Sequence, residues 1–246
     1  MSELLPLFLL TSLGSFAGLV GGIAFLFIKP WSSLLARYSV PFAAGIFLTI
    51  ALVGILPEAL ELAGTEILFT VLVAFLTAYI FETYIVELHH HDDPNHTHQN
   101  TGSAKLIVVG DTIHNFVDGI AIAVAYMANP GLGMITALST FFHEVPHEIG
   151  DFGILLKAGW KKRNIILVNL ASAGFTLLGA VLVFYTHPSV RVQAHLLAAT
   201  AGIFLYLCAV DFLPQSQKTT TKTQAISALL IGVILMFAVI QLTPQH

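Results

Sequence analysis

Runs of about twenty mostly apolar residues recur from one end of the chain to the other, and they constrain the fold more than any single residue does. A run of that length crosses the hydrocarbon core of a bilayer as α-helix. Within lipid only a helix or a closed barrel satisfies its own backbone polar groups. Eight such runs are counted, centred near Gly18, Leu52, Phe75, Asp118, His147, Phe175, Ile203 and Val233, with polar or turn-forming residues between neighbours. The sequence therefore predicts an all-α, polytopic membrane protein with eight transmembrane helices. With 56% hydrophobic and 10% charged residues in 246, no separate soluble domain is expected, and residues 1–246 are read as one transmembrane domain. The first run, from about Leu4 to Ile28, lacks a basic stretch before it and a small-residue cleavage site after it, so it is expected to stay as a membrane helix. A net charge of −4 is too small to imply a nucleic-acid partner. The lone Cys208 excludes an intrachain disulfide.

Orientation follows from the cations. With the N-terminus outside, the inner segments hold Lys29, Arg37, Lys105, Lys157, Lys161, Lys162, Arg163, Lys218 and Lys222, and only Arg191 lies outside. That distribution obeys the positive-inside rule and returns both termini to the extracytoplasmic side.

Two of the runs resemble each other. "AGIFLTIALVGILPE" from Ala44 and "AGIFLYLCAVDFLPQ" from Ala201 share eight of fifteen positions. They belong to the second and seventh runs, so an odd number of crossings separates them and they run in opposite directions. Opposed duplicates are the mark of inverted-repeat transporters, here spans 1–3 and 6–8 around spans 4–5.

The fourth and fifth runs carry the chemistry. In "GDTIHNFVDGIAIA" His114 and Asp118 are four residues apart, with Asn115 three before Asp118; in "TFFHEVPHEIGDFGILL" His143 and His147 form a second i, i+4 pair, and Glu144 and Glu148 a third. Such spacings place each pair on one helix face. Imidazole nitrogen and carboxylate oxygen suit Zn²⁺ and its first-row neighbours. A carboxylate at the centre of a span costs about 2.5 to 3.5 kcal/mol. No Lys or Arg stands in either span core to offset Asp118, Glu144 and Glu148, which favours a divalent cation. Pro146 should leave the Phe142 carbonyl without its usual partner beside His143. Gly119, Gly150 and Gly153 are expected to permit close helix approach. Asp111 and Asp151 extend the ligand faces by one turn as candidate relay residues. "HEVPH" also matches H-E-x-x-H, so an intramembrane zinc metalloprotease with Glu144 as general base is the alternative. The proline within the motif and the second ligand set on the fourth run weigh against it.

At these residues the chain resembles the ZIP family (Zrt/Irt-like proteins) of divalent-metal transporters. "HNFVDGIAIA" is similar to the family's HNxxDG signature, and "HEVPHEIGDFGILL" to its HExPHExGD pattern; Leu-Pro-Glu ending at Glu58, "NLAS" from Asn169 and "AGIFLY" from Ala201 extend the likeness. The resemblance implies a single ZIP-type transmembrane domain with metal bound between helices 4 and 5. It implies a principal site of His114, Asp118, His143 and His147, and an adjacent one to which Asn115, Glu144 and a bridging Asp118 contribute. A further acidic ligand in the sixth span has no match here, Asn169 and Ser172 being the nearest polar residues. The large extracytoplasmic domain of the subfamily with that fifth-span pattern is expected to be absent, since only Met1, Ser2 and Glu3 precede the first run. The expectation is a transporter, not an enzyme, that imports Zn²⁺ as its substrate, with Cd²⁺, Fe²⁺ and Mn²⁺ as further candidates, and that needs no organic cofactor. A homodimer is implied too. The minimal loops suggest a prokaryotic inner membrane. The tract "HHHDDPNHTHQN" within a cytoplasmic loop at about 89–103 is read as a loose metal-binding segment, outside the transport site.

Overall fold

The computed structural model describes residues 4–16, 18–90 and 101–243, and among them the chain is helical with no strand. The His-rich tract from His91 onward lies outside the described residues. Two short helices open the fold, α1 (Leu4–Phe16) and α2 (Leu19–Phe27). Gly18, ahead of α2, sits where a β-carbon would collide with the Glu144 side chain. Next comes α3 (Lys29–Thr49), which passes without interruption into a π-helical turn, Ile50–Ile55, and then α4 (Leu56–Ala63). Gly64, at φ 68°, ends α4 in the left-handed region that glycine alone enters freely, and α5 (Ile67–His90) follows.

A tight hairpin comes next. The helices α6 (Thr101–Ala128) and α7 (Pro130–Lys157) are joined by Asn129, whose Oδ1 accepts the Leu132 amide at 3.2 Å and caps α7. Pro130 then occupies the first turn, where its missing N–H costs nothing. His114 stands fifteen residues before Asn129 and Glu144 fifteen after it. At about 1.5 Å per residue both lie about 22 Å from the turn, so the hairpin brings the two motifs to one depth. The chain continues as α8 (Lys162–Thr186), α9 (Val190–Tyr206), a second π-helical turn Leu207–Phe212, α10 (Leu213–Thr219) and α11 (Lys222–Leu242).

Six helical stretches among the described residues are long and apolar enough to cross a membrane. Two causes separate that number from the eight runs read in the sequence. Residues 37–81 form one such stretch that holds two of the runs, divided at Gly64. The helix α7 falls short because His143, Glu144, His147, Glu148 and Asp151 lower its hydropathy. Large apolar side chains face outward along α5, α8 and α11, among them Phe69, Leu76, Leu178, Leu230 and Ile234. Such a surface on a multi-pass helical protein is what lipid solvates, and the chain is an integral membrane protein.

Glycines set the closest crossings. A β-carbon on Gly119 would strike the Thr176 carbonyl and one on Gly179 the Phe116 carbonyl, so α6 and α8 meet backbone to backbone. Gly45 against the Leu229 carbonyl and Gly232 against the Phe42 carbonyl do the same for α3 and α11. The expectation for Gly150 and Gly153 is corrected, since a β-carbon at either would meet nothing within 4 Å. Close approach there is instead supplied from α2, where Gly21 faces Val145 and Gly22 faces Phe152.

Candidate metal centre

Four side chains from the α6–α7 hairpin converge. One ligand atom each from His114, Asp118, His143 and Glu144 lies within 4.8 Å of all the others. His143 Nε2 is 2.9 Å from Asp118 Oδ2, 3.1 Å from His114 Nε2 and 3.6 Å from Glu144 Oε1. His114 Nε2 is 3.7 Å from Asp118 Oδ2 and 3.6 Å from Glu144 Oε1. Around a tetrahedral Zn²⁺ with ligands at about 2.0–2.1 Å, neighbouring ligand atoms stand about 3.3 Å apart, and the observed separations bracket that value.

The protons of the cluster do not balance without help. His143 Nδ1 lies 3.1 Å from the carbonyl of Ser139, one turn back along α7. A carbonyl only accepts, so Nδ1 carries the proton and Nε2 of the neutral ring is left as a lone pair. That lone pair points at a carboxylate oxygen 2.9 Å away. Glu144 Oε1 is buried and has no hydrogen-bond partner, as is His147 Nε2. Acceptors facing acceptors in a buried site repel unless a proton or a cation sits among them, and the tetrahedral spacing fits a cation.

The sequence-derived residues divide into three groups. His114, Asp118, His143 and Glu144 form the tight set. His147 stands beside it, its ring centroid 4.7 Å from that of His114 and 5.9 Å from that of His143. Asn115 is tied elsewhere: its Oδ1 accepts from Thr176 Oγ1 at 2.9 Å and Ser15 Oγ at 3.2 Å, while its Nδ2 donates to Asp111 Oδ1 at 3.0 Å and Ser172 Oγ at 3.3 Å. In the sixth run Ser172 thus meets Asn115, whereas Asn169 donates to the Ile165 carbonyl of its own helix.

Residues that the motif reading did not reach surround the set. The Phe47 ring lies 4.4 Å from the His143 ring, Phe204 lies 6.0 Å from it, and Phe212 lies 5.3 Å from His147. Phe47 and Phe204 also pack on each other at 4.5 Å. Their signal was present, because they occupy the same place in the two "AGIF" stretches. On the other flank a cavity of about 710 Å³ between α5, α6, α7 and α9 reaches His114 and His147, with Asp111 and Asp151 also in its wall.

The protease alternative is not supported. Glu144, which would have to act as general base, has Oε1 3.6 Å from both His114 and His143, among the ligand atoms. Comparison with known proteins points elsewhere as well. The chain is 44% identical over 116 residues to "Zinc transporter ZIP10" of Danio rerio, which covers 46% of this chain and 13% of that protein. It is 41% identical over 113 residues both to "Zinc transporter ZIP6" and to "Zinc transporter ZIP4" of Homo sapiens, each match covering 46% of this chain and 15% and 18% of those proteins. The chain thus spans less than a fifth of the length of these relatives. The family model described as "ZIP Zinc transporter" matches residues 89–240, more than half of the chain, including both ligand helices. By that match, with the ligand cluster inside the matched region, the chain belongs to the ZIP zinc transporter family.

Proposed function

We propose that the protein imports Zn²⁺ toward the cytoplasm through the site between α6 and α7, and that Cd²⁺, Fe²⁺ and Mn²⁺ are lesser substrates. The observation that carries this reading is the convergence of two imidazoles and two carboxylates at tetrahedral spacing with a deficit of protons. His114, Asp118, His143 and Glu144 take the ion, and His147 exchanges with one of them as the ion moves. Asn115 joins the adjacent ligand set when its Oδ1 gives up the hydroxyls of Ser15 and Thr176. The names printed for the relatives support zinc as the substrate.

The proposed topology has eight crossings, with residues 37–81 counted as two and α7 as one, both termini outside, and an inverted repeat around spans 4 and 5. Local structure supports the repeat. The π-helical turns Ile50–Ile55 and Leu207–Phe212 fall at equivalent places in the two similar stretches, each followed two residues later by a proline, Pro57 and Pro214. Cys208 Sγ donates to the Ala44 carbonyl at 3.4 Å and joins the two stretches. In this reading the ion leaves the ligands through the cavity flank, which lies toward the inner ends of α6 and α7, and the aromatic wall of Phe47, Phe204 and Phe212 parts to admit it. The protein works as a homodimer in a cell membrane. The relatives reported are animal proteins and lend no support to a prokaryotic membrane.

The test is uptake of radiolabelled zinc into proteoliposomes that contain only this protein, with competing divalent cations added in turn. Accumulation above protein-free vesicles, lost in His147→Ala, is expected. Zinc binding without any flux would make the protein a receptor and end the transport reading.

A further inference from the structure

The segment that joins α7 to α8, "KAGWKKRN" from Lys157, carries four cations and no acid in eight residues. Its backbone is locked. Gly159, at φ 81°, ends α7; its amide donates to the Leu156 carbonyl and the Trp160 amide to the Leu155 carbonyl, both at 3.0 Å. These are the paired bonds of a Schellman turn. Trp160 packs against a cluster to which α2, α7 and α8 contribute Leu26, Leu155 and Ile165. The cations are therefore carried on a fixed turn.

Length sets the depth of that turn. The helix α7 has 28 residues, about 42 Å at about 1.5 Å per residue, and a bilayer with both headgroup layers is about 40–45 Å thick. With Asn129 at one surface, Lys157 reaches the headgroup layer of the other. Trp160 at that level fits the preference of tryptophan for the interface.

One of the four cations is already used. Lys162 Nζ donates to the Leu26 carbonyl at 2.7 Å and lies 4.6 Å from the centre of the Phe27 ring, so it closes the end of α2. Lys157, Lys161 and Arg163 are exposed and have no ion pair or side-chain hydrogen bond among the described residues. Arg191, near the opposite surface, is by contrast paired with Glu66 at 3.1 Å. The positive-inside rule asks only that cations stay on one side. It does not call for a fixed turn, an interfacial tryptophan or the absence of acids.

We propose that this turn is a docking surface for the headgroups of anionic phospholipids in the cytoplasmic leaflet. Phosphate oxygens accept from the Lys and Arg donors, and each cation at the surface strengthens the attachment about 5-fold. A lipid held there fixes the inner end of α7, the helix of His143, Glu144 and His147, and through Lys162 the end of α2 beside it. The proposal goes beyond the transport reading and does not depend on which ion is carried; only the leaflet follows from the proposed orientation.

The test uses the full chain with Trp31→Phe, which leaves Trp160 as the one tryptophan of the sequence. The protein is placed in vesicles of phosphatidylcholine mixed with phosphatidylglycerol, one or the other carrying brominated acyl chains that quench tryptophan. The ratio of quenching gives the relative affinity of the two lipids beside Trp160. A preference for phosphatidylglycerol of ~5-fold or more is expected at low salt, shrinking as salt rises. Lys157→Gln, Lys161→Gln and Arg163→Gln together should remove it and each alone should reduce it, so the single variants decide if the triple one does not fold. Arg191→Gln also removes a charge and should leave the preference unchanged. Equal quenching by both lipids in the parent, a preference that survives the single and triple variants, or one reduced as much by Arg191→Gln, would overturn the docking surface. The measurement involves no metal, so its failure leaves the zinc reading standing, and a failure of zinc uptake leaves the lipid site standing.

Discussion

On one flank of the ligand cluster Phe47 and Phe204 press on the His143 ring, at centroid distances of 4.4 and 6.0 Å, and His143 has no exposed surface; on the other, His114 keeps 19% of its side-chain exposure and opens on a cavity of about 710 Å³. The same metal-binding chemistry thus meets two environments. On the aromatic flank the cluster meets phenyl rings, whereas the cavity flank carries the carboxylates Asp111 and Asp151 in its wall. Access is therefore one-sided, and the closed side is built from residues at matching positions in the two similar stretches. The difference between the flanks teaches that donor identity limits what the cluster can bind, and the surroundings set from which side it is open.

The most severe way to break this comparison is to remove the residue that both flanks share. His143→Ala is expected to abolish zinc uptake and to reduce zinc affinity by more than ~100-fold, beyond the 10–100-fold typical of groups that only support a ligand. Isothermal titration and vesicle uptake on the same preparation would show it, and retained uptake would take His143 out of the path. Next in size is a pair of adjacent residues that face opposite flanks. Phe204→Ala leaves a void in the aromatic wall and should cost about 3 to 5 kcal/mol of stability. Ile203→Ala, on the cavity wall, should cost less than half as much, since water can fill the space. Thermal unfolding of the two variants in one detergent compares them directly, and equal losses would mean that the flanks do not differ in dryness.

A subtler change alters chemistry and leaves shape alone. His143→Glu keeps a ligand at the same helical position but hardens the site, so the ratio of zinc to manganese uptake should fall, while zinc remains the tighter binder by the Irving–Williams order. An unaltered ratio in an active variant would place selectivity elsewhere. The smallest effect is expected from Ser172→Ala, which deletes one 3.3 Å hydrogen bond to Asn115. It should cost about 0.5 to 1.5 kcal/mol of stability and leave uptake nearly intact, because Asn115 keeps Ser15, Thr176 and Asp111. A large loss of transport there would show that the orientation of Asn115 controls the passage of the ion.

Much of this was legible in the chain itself. Backbone satisfaction in lipid forces apolar runs to be helices, so the all-α class followed from run length. The i, i+4 spacings brought His114 with Asp118 and His143 with His147. Gly119 was expected to permit a close helix approach and does so; that the partner is α8 was not readable. Gly150 and Gly153 misled, because a glycine permits an approach without requiring one, and what stands opposite is decided by another helix. The π-helical turns were not visible either. Pro57 and Pro214 announce a missing donor, but several backbone adjustments can absorb it, and neighbouring helices select among them.

Sequence alone determined the membrane class, the two helices that carry the candidate ligands and the donor types they offer, since each follows from residue chemistry and spacing within one segment. Tertiary structure decided which donors meet. It drew Glu144 into the tight set and held His147 beside it, fixed the His143 tautomer through the Ser139 carbonyl, and tied Asn115 to hydroxyls from α1 and α8. It also set a closed aromatic flank against an open acidic one. The physical reason is that a helix fixes directions only along itself. What lies across a face, whether phenyl ring, carboxylate or water-filled space, is set by how separate helices pack, and no spacing within a single run records that.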